Sequence, residues 1–570
     1  MANDWWQNAV VYQIYPKSFK DGNNDGIGDI PGIIEKLDYL AALGVTVLWL
    51  NPIFKSPQVD NGYDVSDYYS LDPLFGTDAD FEALVDQAKK KGMRLILDLV
   101  MNHTSDRHPW FLEARKSRTN HYRDYYIWRD GKNQREPTNW GSFFGGSAWC
   151  FEKRTEQYYF HLFDERMPDL NWENPNVRAE FERIGAYWRG TGVDGFRLDA
   201  FIHLEKDHHF REFPNHETDN PYPIAEAYYA NRPHVHRYMR EFARQMRRVH
   251  PDCLLIGEAA SADQRLARLY SDPRRGECDC VISFRILETE RPHADQRLAK
   301  EWQRERLNIA DFKQTMKNWQ RELAGHGCFA LYWNNHDMPR VLSRFGETRN
   351  YRRESATMLA TLMYLQRGLP ILFQGEELGM LNLRLTDVDA YQDSGAASFA
   401  RRAAQIGWSS KKILKTIQLR SKMTSRGAIQ WSDERYGGFS SVQPWLGVNT
   451  GEGAFNAASE IADSESIFSY YQALIELRTK QRVFSQGSLC LLYAFNDPCY
   501  RYLRVIGKDT DCIVCNLSHK AQFVRFAGCA IATRVLGNYP DNQRDDDGFV
   551  LRPFEAVVYL QTEGKEQEKI

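Results

Sequence analysis

Short runs of apolar, β-branched residues recur along most of the chain, separated by stretches whose apolar residues repeat at helical spacing. The runs are VVYQIYPKSF, VTVLWLNPIF, RLILDLVMNH, GFRLDAF, CLLIGEA, VISFRIL, FALYWNNHD and LPILFQGEELGM. A strand that is apolar on both faces belongs to a parallel sheet covered by helices on each side. Eight such strands alternating with helices predict an α/β fold, a (β/α)8 TIM barrel. Nearly every run ends in polar or charged residues, and the C-terminal ends of the strands are where such a barrel keeps its chemistry.

Two intervals break the rhythm. From His103 to about Asn171 the chain is rich in Trp, Tyr, Gly and Asn and lacks helical periodicity, so 104–171 reads as a subdomain inserted after the third strand. A second insertion, about 382–449, follows the eighth strand. The barrel then comprises 1–103 and 172–481. Beyond about Arg482 short alternating strands (CLLYAFN, YRYLRVIG, DCIVCNLS, FVRFAG, AVVYLQ) predict an antiparallel β-sandwich over 482–570.

Composition narrows the function. Apolar residues make up 42% and charged residues 26%, with a net charge of -3. No basic excess exists to hold nucleic acid. No apolar stretch is long enough to span a membrane, and MANDWWQNAVVYQ does not resemble a secretory leader. A cytoplasmic protein, monomeric or weakly homo-oligomeric, is the expectation. The ten cysteines fall largely in apolar runs and read as reduced, strand-packed thiols; Cys512/Cys515 and Cys278/Cys280 lack the closed cluster that zinc requires.

Three acids stand at strand ends: Asp199 in GFRLDAF, Glu258 in LLIGEA and Asp337 in NNHD. A buried carboxylate is costly unless it is paired or used. Cleavage of a glycosidic bond with retention needs two carboxyl groups about 5–5.5 Å apart, a nucleophile and an acid that later acts as base. Neighbouring barrel strands can hold that spacing. Arg197, two residues before Asp199, would lower its pKa, and crowding by Asp199 and Asp337 would raise that of Glu258.

The blocks DLVMNH, GFRLDA, GEA and NNHD resemble the four signature regions of the α-amylase superfamily, glycoside hydrolase family 13. WWQNAVVYQIYPKSF, DNGYDVSDY, FGGSAW and PDLNWENP resemble its oligo-1,6-glucosidase/α-glucosidase branch, and the likeness runs from Trp5 into the C-terminal domain. It implies a retaining, exo-acting α-glucosidase for short oligosaccharides, α-1,4- or α-1,6-linked, with transglucosylation a companion activity and no cofactor for the chemistry. It implies Asp199 as nucleophile, Glu258 as acid/base and Asp337 as the acid that grips sugar hydroxyls. It also implies that Asp60, Tyr63, His103, Arg197 and His336 line the glucose pocket, with Phe144 and Phe163 as aromatic walls and Arg426 as the partner of Asp60.

Strict α-1,6 specificity, trehalose-6-phosphate hydrolysis and sucrose isomerisation are the branch's other activities. The loop after Ala200 shows no cationic cluster for a phosphate, and all three acids serve an isomerase equally well. Non-catalytic transporter subunits of the superfamily carry a membrane helix and lack the acids, unlike this chain. Departures from the branch pattern fall at KMTSRGAIQW, at Met167 and at Ala200, which bear on linkage rather than on the reaction.

In DGNNDGIGD, Asp21, Asn23, Asp25, the carbonyl of Ile27 and Asp29 present oxygen ligands at alternate positions, a spacing suited to Ca²⁺. Relatives in the branch carry a structural calcium on this loop. His203, His208, His209 and His216 follow the nucleophile and read as a polar surface loop beside the substrate.

Overall fold

The computed structural model describes residues 5–561 except 134, 215–219, 289–297, 299–301, 303–306, 450–454, 493–497, 526–532, 542 and 545–547. All eight apolar runs form parallel strands: β1 (Val11–Ile14), β2 (Val47–Leu50), β3 (Arg94–Val100), β4 (Gly195–Asp199), β5 (Leu254–Glu258), β6 (Cys280–Ile282), β7 (Ala330–Leu331) and β8 (Leu369–Phe373). Each pairs with its neighbour in chain order, β1 also pairs with β8, and a parallel bridge between Val281 and Phe329 closes the circle between β6 and β7.

Each strand feeds a helix that packs outside it: α1 (Leu37–Leu43), α2 (Asp78–Lys90), α3 (Pro175–Gly190), α4 (Pro233–Val249), α5 (Gln264–Ser271), α6 (Ile309–Leu323), α7 (Arg352–Tyr364) and α8 (Ile467–Lys480). Helix α2 shows why these sequences fold so. Thr77 and Asp80 form a reciprocal capping box, and Phe81, Leu84, Val85 and Ala88 form its buried stripe. Lys89 and Lys90 favour its negative C-terminal end, and Gly92 at φ +76° turns the chain away.

Between β3 and α3 lies a small three-stranded antiparallel sheet (Trp128–Arg129, Gln157–Phe160, Trp149–Glu152). Its core of Trp140, Trp149, Phe160 and Leu162 also takes in Phe210 and Tyr229, so the segment after β4 is anchored to the insertion. After β8 two further helices, Ser394–Gln405 and Ser410–Arg420, gather around Phe399, Ile413 and Ile417. The chain closes in two antiparallel sheets, of five and three strands, that share a core of Val514, Val524, Leu551 and Val557. Among the described residues no helix is long and apolar enough to cross a membrane. Among the described residues eight cysteines are free thiols, but Cys512 is disulfide-bonded, a departure from the reduced state expected of all ten.

Candidate active site

Strand register assembles the site. Asp98 on β3 pairs with Arg197 on β4, and Gly257 on β5 pairs with Leu198, which puts Glu258 beside Asp199 at the ends of adjacent strands. Arg197 and Asp199 are two residues apart on one strand and share a face. The Arg197 guanidinium, fully buried, holds three carboxylates: Asp98 at 2.6 Å, Asp199 at 2.5 Å and Glu258 at 2.8 Å. The second Glu258 oxygen accepts the Ala200 N–H at 3.2 Å. The glycine ahead of Glu258 is sterically required, because a Cβ there would lie 2.6 Å from the Phe201 ring and 2.7 Å from Cys278 Sγ.

Burial pushes the Asp199 carboxyl well above the usual carboxylate range; Arg197 pulls it down, and Glu258 and Asp98 add to the rise. Arg197 pulls in the expected direction, but its guanidinium is shared among three acids and desolvation outweighs it.

These acids open into a cavity of 1410 Å³, lined by Asp60, Tyr63, His103, Phe144, Phe163, Asp199, Glu258 and Asp337 among others. His103 lies against Phe163, centroids 5.0 Å apart. Burial holds its imidazole down to about 4, so it is neutral at physiological pH, and its Nε2 meets no protein partner among the described residues. Tyr63 stacks on His336 at 5.4 Å and its hydroxyl lies 2.6 Å from His336 Nε2. Arg197, His336 and Arg426 are not cavity walls but the layer behind them, each about 1% exposed.

Arg426 does not pair with Asp60. Its guanidinium donates to the His336 carbonyl at 2.7 Å and to Asp337 at 2.9 Å. Lys422, one turn earlier, takes the expected place: its ammonium stands 3.5 Å from Asp60, 4.0 Å from Asp337 and 5.3 Å from the Phe144 ring centre. The turn Lys422–Ser425 faces Lys422 into the cavity and Arg426 into the protein, which explains the exchange. Burial costs Asp337 its charge in principle, but His336, Lys422 and Arg426 hold it well below the usual carboxylate range.

A family model described as the α-amylase catalytic domain matches residues 13–487, and the three acids lie within that span. The chain belongs to the α-amylase family. An oligo-1,6-glucosidase of Parageobacillus thermoglucosidasius is 41% identical over 566 residues, 98% of this chain and 99% of that protein. An α-glucosidase of Pediococcus pentosaceus is 40% identical, over 97% and 98% of the two chains. The crystal structure of Bacillus licheniformis trehalose-6-phosphate hydrolase superposes with a TM-score of 0.92 at 38% identity, covering 98% of this chain and 99% of that one.

Against that family background, two residues escape a reading of the sequence alone. Lys422 was hidden because SKMTSR offers two cations and only the turn decides between them. Asp98, inside an apolar run, accepts from Trp49, Asn51 and Tyr63 at 3.3, 3.2 and 3.0 Å and positions Arg197. Its signal was a lone acid at the centre of RLILDLV. Of the loop histidines, His203 is buried, with Nδ1 3.1 Å from the Tyr229 carbonyl; His208 and His209 are exposed; His216 lies outside the described residues.

Proposed function

We propose that the chain is a retaining, exo-acting α-glucosidase that releases glucose from the non-reducing end of short α-glucosides. The observation that carries this reading is one buried guanidinium, Arg197, holding Asp199 and Glu258 together at a cavity whose walls include Asp60, Lys422 and Asp337. Asp199 attacks the anomeric carbon while Glu258 gives its proton to the departing sugar oxygen. Glu258 then takes a proton from water, which displaces Asp199 from the covalent glucosyl-enzyme. The cycle needs Asp199 ionised and Glu258 protonated at its start. Asp337, held ionised, and the neutral His103 grip hydroxyls of the terminal glucose. Asp60 and Lys422 bind its far edge and limit the enzyme to chain ends.

Ala200 lines the cavity directly after the nucleophile, in the left-handed conformation at φ +44°. Its single methyl leaves room for a 4-linked leaving sugar, which joins through a ring carbon and lies closer to the wall than a 6-linked one. The reading therefore includes both α-1,4- and α-1,6-linked oligosaccharides. We place the enzyme in the cytoplasm as a monomer or weak homo-oligomer.

Calcium on the Asp21–Asp29 loop is part of the same proposal, with no part in bond cleavage. Asp21 and Asp29 are both about 1% exposed, and burial, with Asp21 adding like charge, raises the Asp29 carboxyl. Asp21 accepts N–H bonds from Asn23, Asn24 and Gly26, and Asp29 from Gly22, Asn23 and Gly32. Each Oδ1 accepts two of these bonds, while Asp21 Oδ2 and Asp29 Oδ2 accept one each and keep a lone pair for a cation, which would relieve the like charge.

Product analysis with maltose, isomaltose, panose, sucrose, trehalose and trehalose 6-phosphate tests the reading. Glucose is the expected first product from maltose and isomaltose. Release of disaccharides from chain interiors, or isomerisation of sucrose without net hydrolysis, would refute it.

A further inference from the structure

On the outer side of the segment that follows the nucleophile, three side chains far apart in sequence converge. Glu205 lies six residues after Asp199, His208 three further on, and His234 at the start of α4. One donor atom from each lies within 4.8 Å of the others, the one such group of His, Cys, Asp and Glu among the described residues. Glu205 is buried and fixed: one oxygen accepts the His234 backbone N–H at 2.5 Å, and the other is 3.2 Å from His234 Nδ1. The two imidazoles are about half exposed, at 45% and 49%, with centroids 6.3 Å apart. His208 Nδ1 pairs in turn with Glu173, itself half exposed, just ahead of α3.

We propose that Glu205, His208 and His234, with Glu173 as a fourth ligand, form a binding site for zinc or a chemically similar ion such as cobalt(II) or nickel(II). Two imidazole nitrogens and two carboxylates make the donor set that zinc prefers, whereas calcium and magnesium take oxygen shells. Zinc–nitrogen and zinc–oxygen bonds of about 2.0–2.2 Å require the donors to close in slightly, and the exposed rings of His208 and His234 can swing to do so. Arg232 opposes the ion, standing 3.7 Å from Glu205, but it is equally 3.7 Å from Asp207, which shares its charge.

Bound there, the ion joins three elements. It ties the segment after β4, whose Ala200, Ile202 and His203 line the catalytic cavity, to the first turn of α4 and to Glu173, two residues before α3. It acts as a clamp on the support of the cavity wall and touches no reacting atom. The proposal is independent of which α-glucoside the enzyme cleaves.

The test uses the full-length protein stripped with chelator and dialysed. Titration with zinc chloride in a calorimeter should give one site per chain, and saturating zinc should raise the melting temperature by a few degrees, by mass action on the folded state. Cobalt(II) should produce the visible absorption of a four-coordinate ion. His208→Ala combined with His234→Ala keeps the Glu205 bond to the backbone N–H, so it should fold, retain metal-free activity, and lose both the zinc shift and the cobalt spectrum. The single variant His209→Ala should lose neither. Absence of zinc binding in the wild type, or an undiminished zinc response in the double variant, would overturn the site.

Discussion

At the scale of single residues, the chemistry depends on charges that the protein spends stability to keep. Asp199 takes up its proton at a higher pH in the folded chain than in the unfolded one. Between those two values the folded chain holds a proton that the unfolded chain has lost, so this group's contribution to stability falls as pH rises through the window. Asp199→Asn removes the penalty. It should lower kcat by several orders of magnitude yet melt above the wild type at neutral pH, the gap closing below about pH 4. A variant that melts lower at neutral pH would show that the pull of Arg197 outweighs burial after all. Lys422 makes a second test. Lys422→Met removes a charged hydrogen-bonding partner worth about 1.5–3 kcal/mol, so kcat/KM should fall about 10–100-fold, with Lys422→Arg retaining most of the activity. Kinetics on an aryl α-glucoside within threefold or so of wild type for Lys422→Met would remove it from the sugar site. Sequence revealed the three acids because carboxylates at the ends of apolar strands stand out. It misassigned the cation because nothing in SKMTSRGAIQW says which of two side chains a tight turn will face outward.

At the scale of elements, the eight strands were legible because a two-sided apolar strand has few other fates. The β3–α3 insertion was legible only as an interruption: its three-stranded sheet is short, and its core borrows Phe210 and Tyr229 from another part of the chain. The His208–His234 meeting was invisible for the same reason, since the register of a loop against a helix is set by tertiary packing. The Asp21–Asp29 loop lies between these cases. Its alternating oxygens are plain in the sequence, and the fold adds that Asp29 also caps the short helix Ile30–Glu35, through the Gly32 N–H at 2.7 Å. Calcium there should therefore stabilise the first strand–helix connection. Chelation should lower the melting temperature and added calcium should restore it, in the wild type and in the His208/His234 double variant alike. Melting that ignores both chelator and calcium would leave the loop a self-satisfied turn.

At the scale of the whole molecule, the barrel and one face of the five-stranded C-terminal sheet share one core, and that has a measurable consequence. Tyr500, Tyr502, Ile513, Ala556 and Val558 of the five-stranded sheet are buried in the same cluster as Leu359 and Met363 of α7. Across the seam Arg504 donates to the Leu365 carbonyl at 2.7 Å and Asn538 to the Glu354 carbonyl at 3.0 Å, and within the C-terminal part Arg504 also donates to the Gly487 carbonyl at 2.9 Å. Burial draws the Arg504 guanidinium down to about 9, a sign of how dry the seam is. A core without a break should unfold in one transition, although the chain was readable as separate stretches. Arg504→Met strands two buried carbonyls, each costing about 1–3 kcal/mol, while filling similar space. It should lower the melting temperature by several degrees and leave kcat unchanged well below that temperature, since the partners of Arg504 among the described residues, Leu365, Gly487, Ser488 and Phe484, do not line the cavity. Scanning calorimetry decides the point. A single peak that moves down as a whole in Arg504→Met supports one cooperative unit. Two peaks in the wild type, with only one of them shifted by the variant, would mean that the C-terminal sheets fold and melt on their own and that the barrel does not depend on them.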